Sequence, residues 1–240
     1  MTKGTGEARV QALLPQTLRG NVRYAAGVRA GRWVFATGHK GTADYTSGMA
    51  SEVLRSHLPH WDTSKLRREA DQIFRNLDAV LRAGGSSLEN VVRVDQNYTS
   101  GRAVESYHDA RREVMKDHIP PSTSTLVEGF LLPRQEIEVH AIGVAPEGDF
   151  RPRHIRPKGQ EVHHTSGYSL ALEAGDLVFV AGRMADSLTF GEGLAKEARL
   201  PDEHLWKGLP IKLEAEFILR EKIEPALKAA GSSLANVLKC

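Results

Sequence analysis

Arg82-Ala-Gly-Gly-Ser-Ser-Leu-Glu-Asn-Val-Val92 returns later in the chain as Lys228-Ala-Ala-Gly-Ser-Ser-Leu-Ala-Asn-Val-Leu238, an offset of 146 residues. Working outward, Tyr24-Ala-Ala-Gly-Val-Arg-Ala-Gly-Arg-Trp-Val-Phe-Ala-Thr-Gly-His39 returns as Tyr168-Ser-Leu-Ala-Leu-Glu-Ala-Gly-Asp-Leu-Val-Phe-Val-Ala-Gly-Arg183, at an offset of 144. Two matches in the same order with nearly equal spacing argue for a duplicated module.

The first copy reads as a complete set of elements. Apolar or alternating runs at 25–29 and 33–37, joined through Ala30-Gly31, form a β-hairpin. From Lys65 to Ala83, the residues Ala70, Ile73, Phe74, Leu77, Val80 and Leu81 recur at helical spacing, and Gly84-Gly85 ends that helix in the left-handed conformation. Residues 91–98 read as a strand. Val104, Tyr107, Ala110, Val114 and Met115 mark a second helix that stops at Pro120-Pro121. Residues 125–130 and 137–144 read as two final strands. The sum is ββ-α-β-α-ββ, an α+β sandwich with its helices on one sheet face.

The second copy has the hairpin and one helix near 211–230, with Pro225 expected to kink it. Nothing after Cys240 matches the elements between Val94 and Val144. The expected organisation is a complete module over 1–148, a linker over 149–163 and a partial module over 164–240. Arg151, Arg153, Arg156 and Lys158 stand among Pro152, Pro157 and Gly159, which reads as a solvated linker. A half-module exposes apolar surface, so it calls for a partner chain, pairing with the first copy or a continuation of the chain.

Bulk properties narrow the function. The chain of 240 residues has 32 lysines and arginines against 30 aspartates and glutamates, a field too weak to attract nucleic acid or an anionic membrane. No run of about 18 apolar residues and no secretory leader pattern is present, so a cytoplasmic location and no membrane association are expected. The one cysteine, Cys240, excludes a disulfide framework and a thiolate metal cluster. His57-Leu-Pro-His60 spaces two imidazoles by three, but Pro59 opposes a helix presenting them together, and no metal site is expected. Gly4-Thr-Gly6 follows no strand and lacks a lysine-serine ending, and no cofactor is expected. The excursions 41–64 and 187–210 occupy the same place in both copies. Their length, together with Trp61 and Trp206, suggests ordered lids or interface elements.

The order of elements, the Tyr24 hairpin opening and the Ala-Gly-Gly-Ser-Ser-Leu helix end resemble the Rid family, also called YjgF or L-PSP-like. So do the closing Ser124-Thr-Leu-Val-Glu128 and Ile137-Glu-Val-His-Ala-Ile142. The likeness spans about 24–146 as a full module and 168–240 as a part. It implies the chorismate-mutase-like α+β fold, a homo-oligomer built as a trimer or pseudo-trimer, and sites in clefts between modules. In one branch it implies hydrolysis of reactive enamines and imines to ketone and ammonia. In that branch an arginine clamps the substrate carboxylate. Its place here is held by Ser124, and the branch's glutamate on the last strand is replaced by His140.

These positions still carry usable chemistry. His140 lies between Val139 and Ala141, and the period of two turns it away from both, so it reads either as a general base on water or as a hydrogen-bonded structural histidine. Ser124 and Thr125 read as holders of a substrate oxygen, or Ser124 with His140 as a nucleophile and its base. Tyr24 and His39 each read as pocket-lining or as packing residues. The expected function is hydrolysis or deamination of a small, uncharged or differently charged imine, enamine or amide, with a non-catalytic small-molecule binding or assembly role as the alternative. Ribonuclease activity is the weaker third reading, opposed by the near-neutral charge.

Overall fold

The computed structural model describes residues 10–15, 24–44, 47–55, 63–160, 167–187, 193–201, 204 and 208–240. His57, His60, Trp61 and Trp206, singled out above, lie outside the described residues, as do His163 and His164. The chain divides into two compact units, Met1–Ile119 with Ser124–Pro152, and Pro120–Thr123 with Arg153–Cys240.

A six-stranded sheet has the order β1-β2-β3-β6-β4-β5, with β1 Val10–Leu13, β2 Gly27–Ala30, β3 Trp33–His39, β4 Val91–Tyr98, β5 Ser122–Leu126 and β6 Ile137–Val144. A short helix, α1 (Ser51–Leu54), precedes the two long helices α2 (Lys65–Ala83) and α3 (Arg102–Met115). α2 packs against α3, β3 and β6. Its apolar stripe is the one the spacing predicts: Ala70, Ile73, Leu77, Val80 and Leu81 are fully buried and Phe74 nearly so. Ser64 caps it, accepting from the Arg67 N–H at 3.1 Å. β4 and β6 each alternate buried and half-buried residues, as expected for a sheet with one covered and one open face.

The structure departs from the sequence reading at several ends. α3 stops at Met115, ahead of the proline pair, because Lys116 turns the backbone to φ 51 and its N–H bonds back to the Arg112 carbonyl at 3.0 Å. Of its predicted apolar face, Val114 is exposed while Arg111 is buried. At the end of α2 the left-handed residue is Gly85 (φ 74); Gly84 has φ −86. β5 begins three residues earlier than expected. β1 is an addition, a strand in which only Leu13 is buried.

In the second unit β7 (Arg153–Ile155), β8 (Ala171–Ala174) and β9 (Leu177–Val180) form a three-stranded antiparallel sheet. β7 lies in the stretch expected to be linker. It is a strand because Ile155 is buried beside Ala171 and Ala226. The hairpin turn places Gly175 at φ 60, as the first unit's turn does Gly31. A long helix follows as α4 (Pro210–Phe217), a π-helical segment Ile218–Ile223 and α5 (Glu224–Ala229). Pro225 has no N–H for the Glu221 carbonyl four residues back. That carbonyl instead accepts from the Gln160 side chain at 2.9 Å. The helix end repeats the first unit's cap: Ser232 N–H to Leu227 O and Ser86 N–H to Leu81 O are both 2.8 Å, with Gly231 at φ 73. Between Lys65 and Pro210 the spacing is 145 residues, and between the helix ends Ala83 and Ala229 it is 146. The second helix is thus one residue longer than α2, and a π turn accommodates one.

Candidate functional site

On β6, Ile137, Val139 and Ala141 point into the helix-covered core, and Glu138, His140 and Ile142 to the open face. β4 pairs with it antiparallel, so Arg93, Asp95 and Asn97 stand opposite Ile142, His140 and Glu138 on that face. His140 is half-exposed, and its Nε2 lies 3.2 Å from Glu138 Oε1. Glu138 is more sheltered, with Lys40 Nζ at 3.8 Å. The hydrogen bond from His140 and the Lys40 charge hold the Glu138 carboxyl below its ordinary value, against the opposing effect of burial. An ionised carboxylate only accepts, so the neutral ring is assigned its proton on Nε2, leaving the Nδ1 lone pair as the base.

β3 makes room for this pair. Its register with β6 shifts between Ala36 and His39, and a Cβ placed on Gly38 would come within 2.9 Å of the Glu138 carboxyl carbon and 3.1 Å of His140 Cε1. Glycine is the residue that fits under both side chains. Arg93 grips Asp95 through Nε (2.9 Å) and Nη2 (2.6 Å), which uses its guanidinium fork on a neighbour.

The other expected site residues separate. Ser124 Oγ accepts from Gln96 Nε2 at 2.9 Å, and Gln96 is a buried residue paired with Val139 on the helix-covered face. Ser124 therefore lies on the opposite side of the sheet from His140, and the two do not form a nucleophile and base. Thr125, exposed and one residue on, projects to the His140 side by the alternation of the strand. Tyr24 is 51% exposed, just ahead of β2.

His39 is a core residue rather than a pocket wall. It is 1% exposed, its Nε2 lies 3.2 Å from the Ala26 carbonyl, and burial lowers its pKa to about 4. The strand irregularity between Ala36 and His39 turns it inward. Its unfolded value is 6.5, so between pH 6.5 and 4 the unfolded chain holds a proton that the folded chain does not. Stability is therefore complete above pH 6.5 and falls by about 3 kcal/mol as the pH drops toward 4. Urea titrations at pH 7 and 5 should show about 2 kcal/mol of that loss in the parent chain and much less of it in His39→Gln.

Glu138, Lys40, Arg93 and Asp95 were not singled out in the sequence. Glu138 was within reach, since the same period of two that turns His140 outward turns Glu138 with it. A cavity of about 500 Å³ lies in the second unit, bordered by Ser187, Phe217 and three glutamates, and holds none of these residues.

Residues 15–145, more than half of the chain, match the family described as Endoribonuclease L-PSP. The chain belongs to that family. No curated protein matches it. Among solved structures, the L-PSP module resembles yeast Mmf1 (16% identity, 57% of this chain and 100% of that one, TM-score 0.46). It also resembles RidA from the Antarctic bacterium Psychrobacter sp. PAMC 21119 (20%, 56% and 98%, 0.45) and E. coli TdcF with bound serine (18%, 56% and 98%, 0.46). L-PSP membership supports a small-molecule role, hydrolytic or binding. Among the described residues no helix is long and apolar enough to cross a membrane.

Proposed function

We propose that the first unit hydrolyses a small imine or enamine on the open face of its sheet, with His140 as general base and Glu138 orienting it. The observation that carries this reading is the 3.2 Å imidazole–carboxylate contact on a solvent-accessible strand face. His140 Nδ1 takes a proton from water as the water oxygen bonds to the imine carbon and the C=N electron pair moves to nitrogen. The protonated ring then returns that proton to the nitrogen, the hydroxyl proton passes by the same imidazole to the resulting amine, and the C–N bond breaks to give a carbonyl and ammonia. Glu138 steadies the charge that His140 carries between the two transfers.

The substrate is uncharged, or at least not held by a carboxylate clamp, because Ser124 replaces the branch's arginine and Arg93 is committed to Asp95. Thr125 and the half-exposed Tyr24 supply polar contacts at the margin. We read the second unit as a partial copy of the first, on the matching turns, caps and spacings.

Enamines generated in situ from a panel of amino acids and amines test the reading. The full chain should release ammonia above the uncatalysed rate, and fastest from members without a carboxylate. If no member is accelerated while one of the panel's carbonyl products binds saturably, the protein is a binding member of its family instead.

A further inference from the structure

The second unit differs from the first in charge at three matching positions. In the first, His39 is buried and uncharged near neutrality, and Asn76 Nδ2 donates to the carbonyls of Lys40 and Thr42, both at 3.0 Å, tying α2 to the end of the hairpin. At spacings of 144, 144 and 146 residues, His39, Thr42 and Asn76 correspond to Arg183, Asp186 and Lys222. Thr42 and Asp186 even make the equivalent isolated β-bridge, to Met49 and Leu194. The same tie is made in the second unit, now by an ion pair: Lys222, 1% exposed, donates to Asp186 Oδ1. Its ammonium also lies 5.8 Å from the centre of the Phe217 ring.

Asp186 is thus engaged, and Arg183 is left over. Arg183 is half-buried and interacts electrostatically with Tyr168 and Asp186, yet it has no hydrogen-bond or ion-pair partner among the described residues. Burial disfavours its charge and pushes its pKa down, but a guanidinium does not release its proton near neutrality. Burial likewise lowers the pKa of Lys222, with Arg183 adding to the effect. Two cations against one carboxylate leave an excess positive charge in a sheltered place, an arrangement that costs stability unless an anion joins it. The Asp186 side chain is half-exposed, so the group is open to solvent.

We propose that Arg183, beside the Lys222–Asp186 ion pair and within electrostatic reach of Tyr168, forms a site in the second unit for a small oxyanion, a carboxylate or a phosphate. The five-donor fork of arginine matches two oxygens of either group, and Lys222 adds a point charge. This site stands apart from the His140 chemistry and does not depend on it.

Calorimetric titration of the full chain in a chloride-poor buffer tests the site, with acetate in one arm and inorganic phosphate in the other. The parent chain should bind at least one of them saturably at one equivalent, and the preferred arm identifies the source. Arg183→Gln should weaken that binding at least tenfold, with Arg183→Lys in between because it keeps the charge and loses the fork. Tyr168→Phe, which leaves all charges in place, should weaken it several-fold. Absence of saturable binding of either anion, or affinities of Arg183→Gln within twofold of the parent, would overturn the proposal.

Discussion

Glu69→Ala is expected to lower stability by about 4 kcal/mol. The Glu69 side chain is fully buried near the start of α2. Its Oε1 accepts from the backbone N–H groups of Glu136 and Ile137 at 2.9 and 3.0 Å, and its Oε2 from Lys65 Nζ at 2.5 Å. Lys65 in turn reaches Glu136 Oε2 at 2.8 Å and the Arg134 carbonyl at 2.6 Å. One carboxylate therefore ties the first turn of α2 to the beginning of β6. Burial raises its pKa, opposed by Lys65 and the two N–H donors. Alanine would leave those donors buried without an acceptor and a lysine without its nearest counter-charge. Glu69→Gln keeps a carbonyl oxygen for the N–H groups and should cost about half as much. Urea unfolding measures both, with the midpoint moving at constant slope.

His140→Ala is expected to reduce ammonia release by about two orders of magnitude, the lower end of what a positioned general base contributes. The same change should alter stability by less than about 1 kcal/mol, because the side chain is half-exposed and its one described hydrogen bond is to Glu138. A large kinetic loss without a thermodynamic one separates a chemical role from the structural alternative, in which His140 serves to hold Glu138 in place. Glu138→Gln should cost about tenfold, since an amide still accepts from Nε2 but offers no charge to the imidazolium.

Much of the first unit was legible because its signals are local. The stripe from Ala70 to Leu81 places α2 at its observed limits, and the runs at 91–98 and 137–144 give β4 and β6. The misplaced strand, β5, is a run of serines and threonines with no hydrophobic alternation to mark its start. β1 and β7 each bury a single apolar residue, too little to register as a strand before their partners are known. The end of α3 depends on a positive φ at Lys116, a residue type that gives no such signal.

The outward orientation of His140 was legible from strand periodicity. Its setting was not, because Asp95 stands opposite it through a pairing of β4 with β6 that sequence distance conceals. Which of the two readings of His39 holds was hidden for a related reason. An irregularity in β3 shifts the parity, so the residue after Gly38 enters the core and not the open face. Ser124 shows the limit of reasoning from single positions: its hydroxyl is engaged by Gln96 on the covered face.

If His140 and Glu138 act as one catalytic pair, a double-mutant cycle on ammonia release reports it. Groups that work as a unit are non-additive, so with His140 removed, Glu138→Gln should have no further effect, and His140→Ala/Glu138→Gln should match His140→Ala within twofold. Losses that multiply, or a His140→Ala rate equal to that of the parent chain, would contradict it.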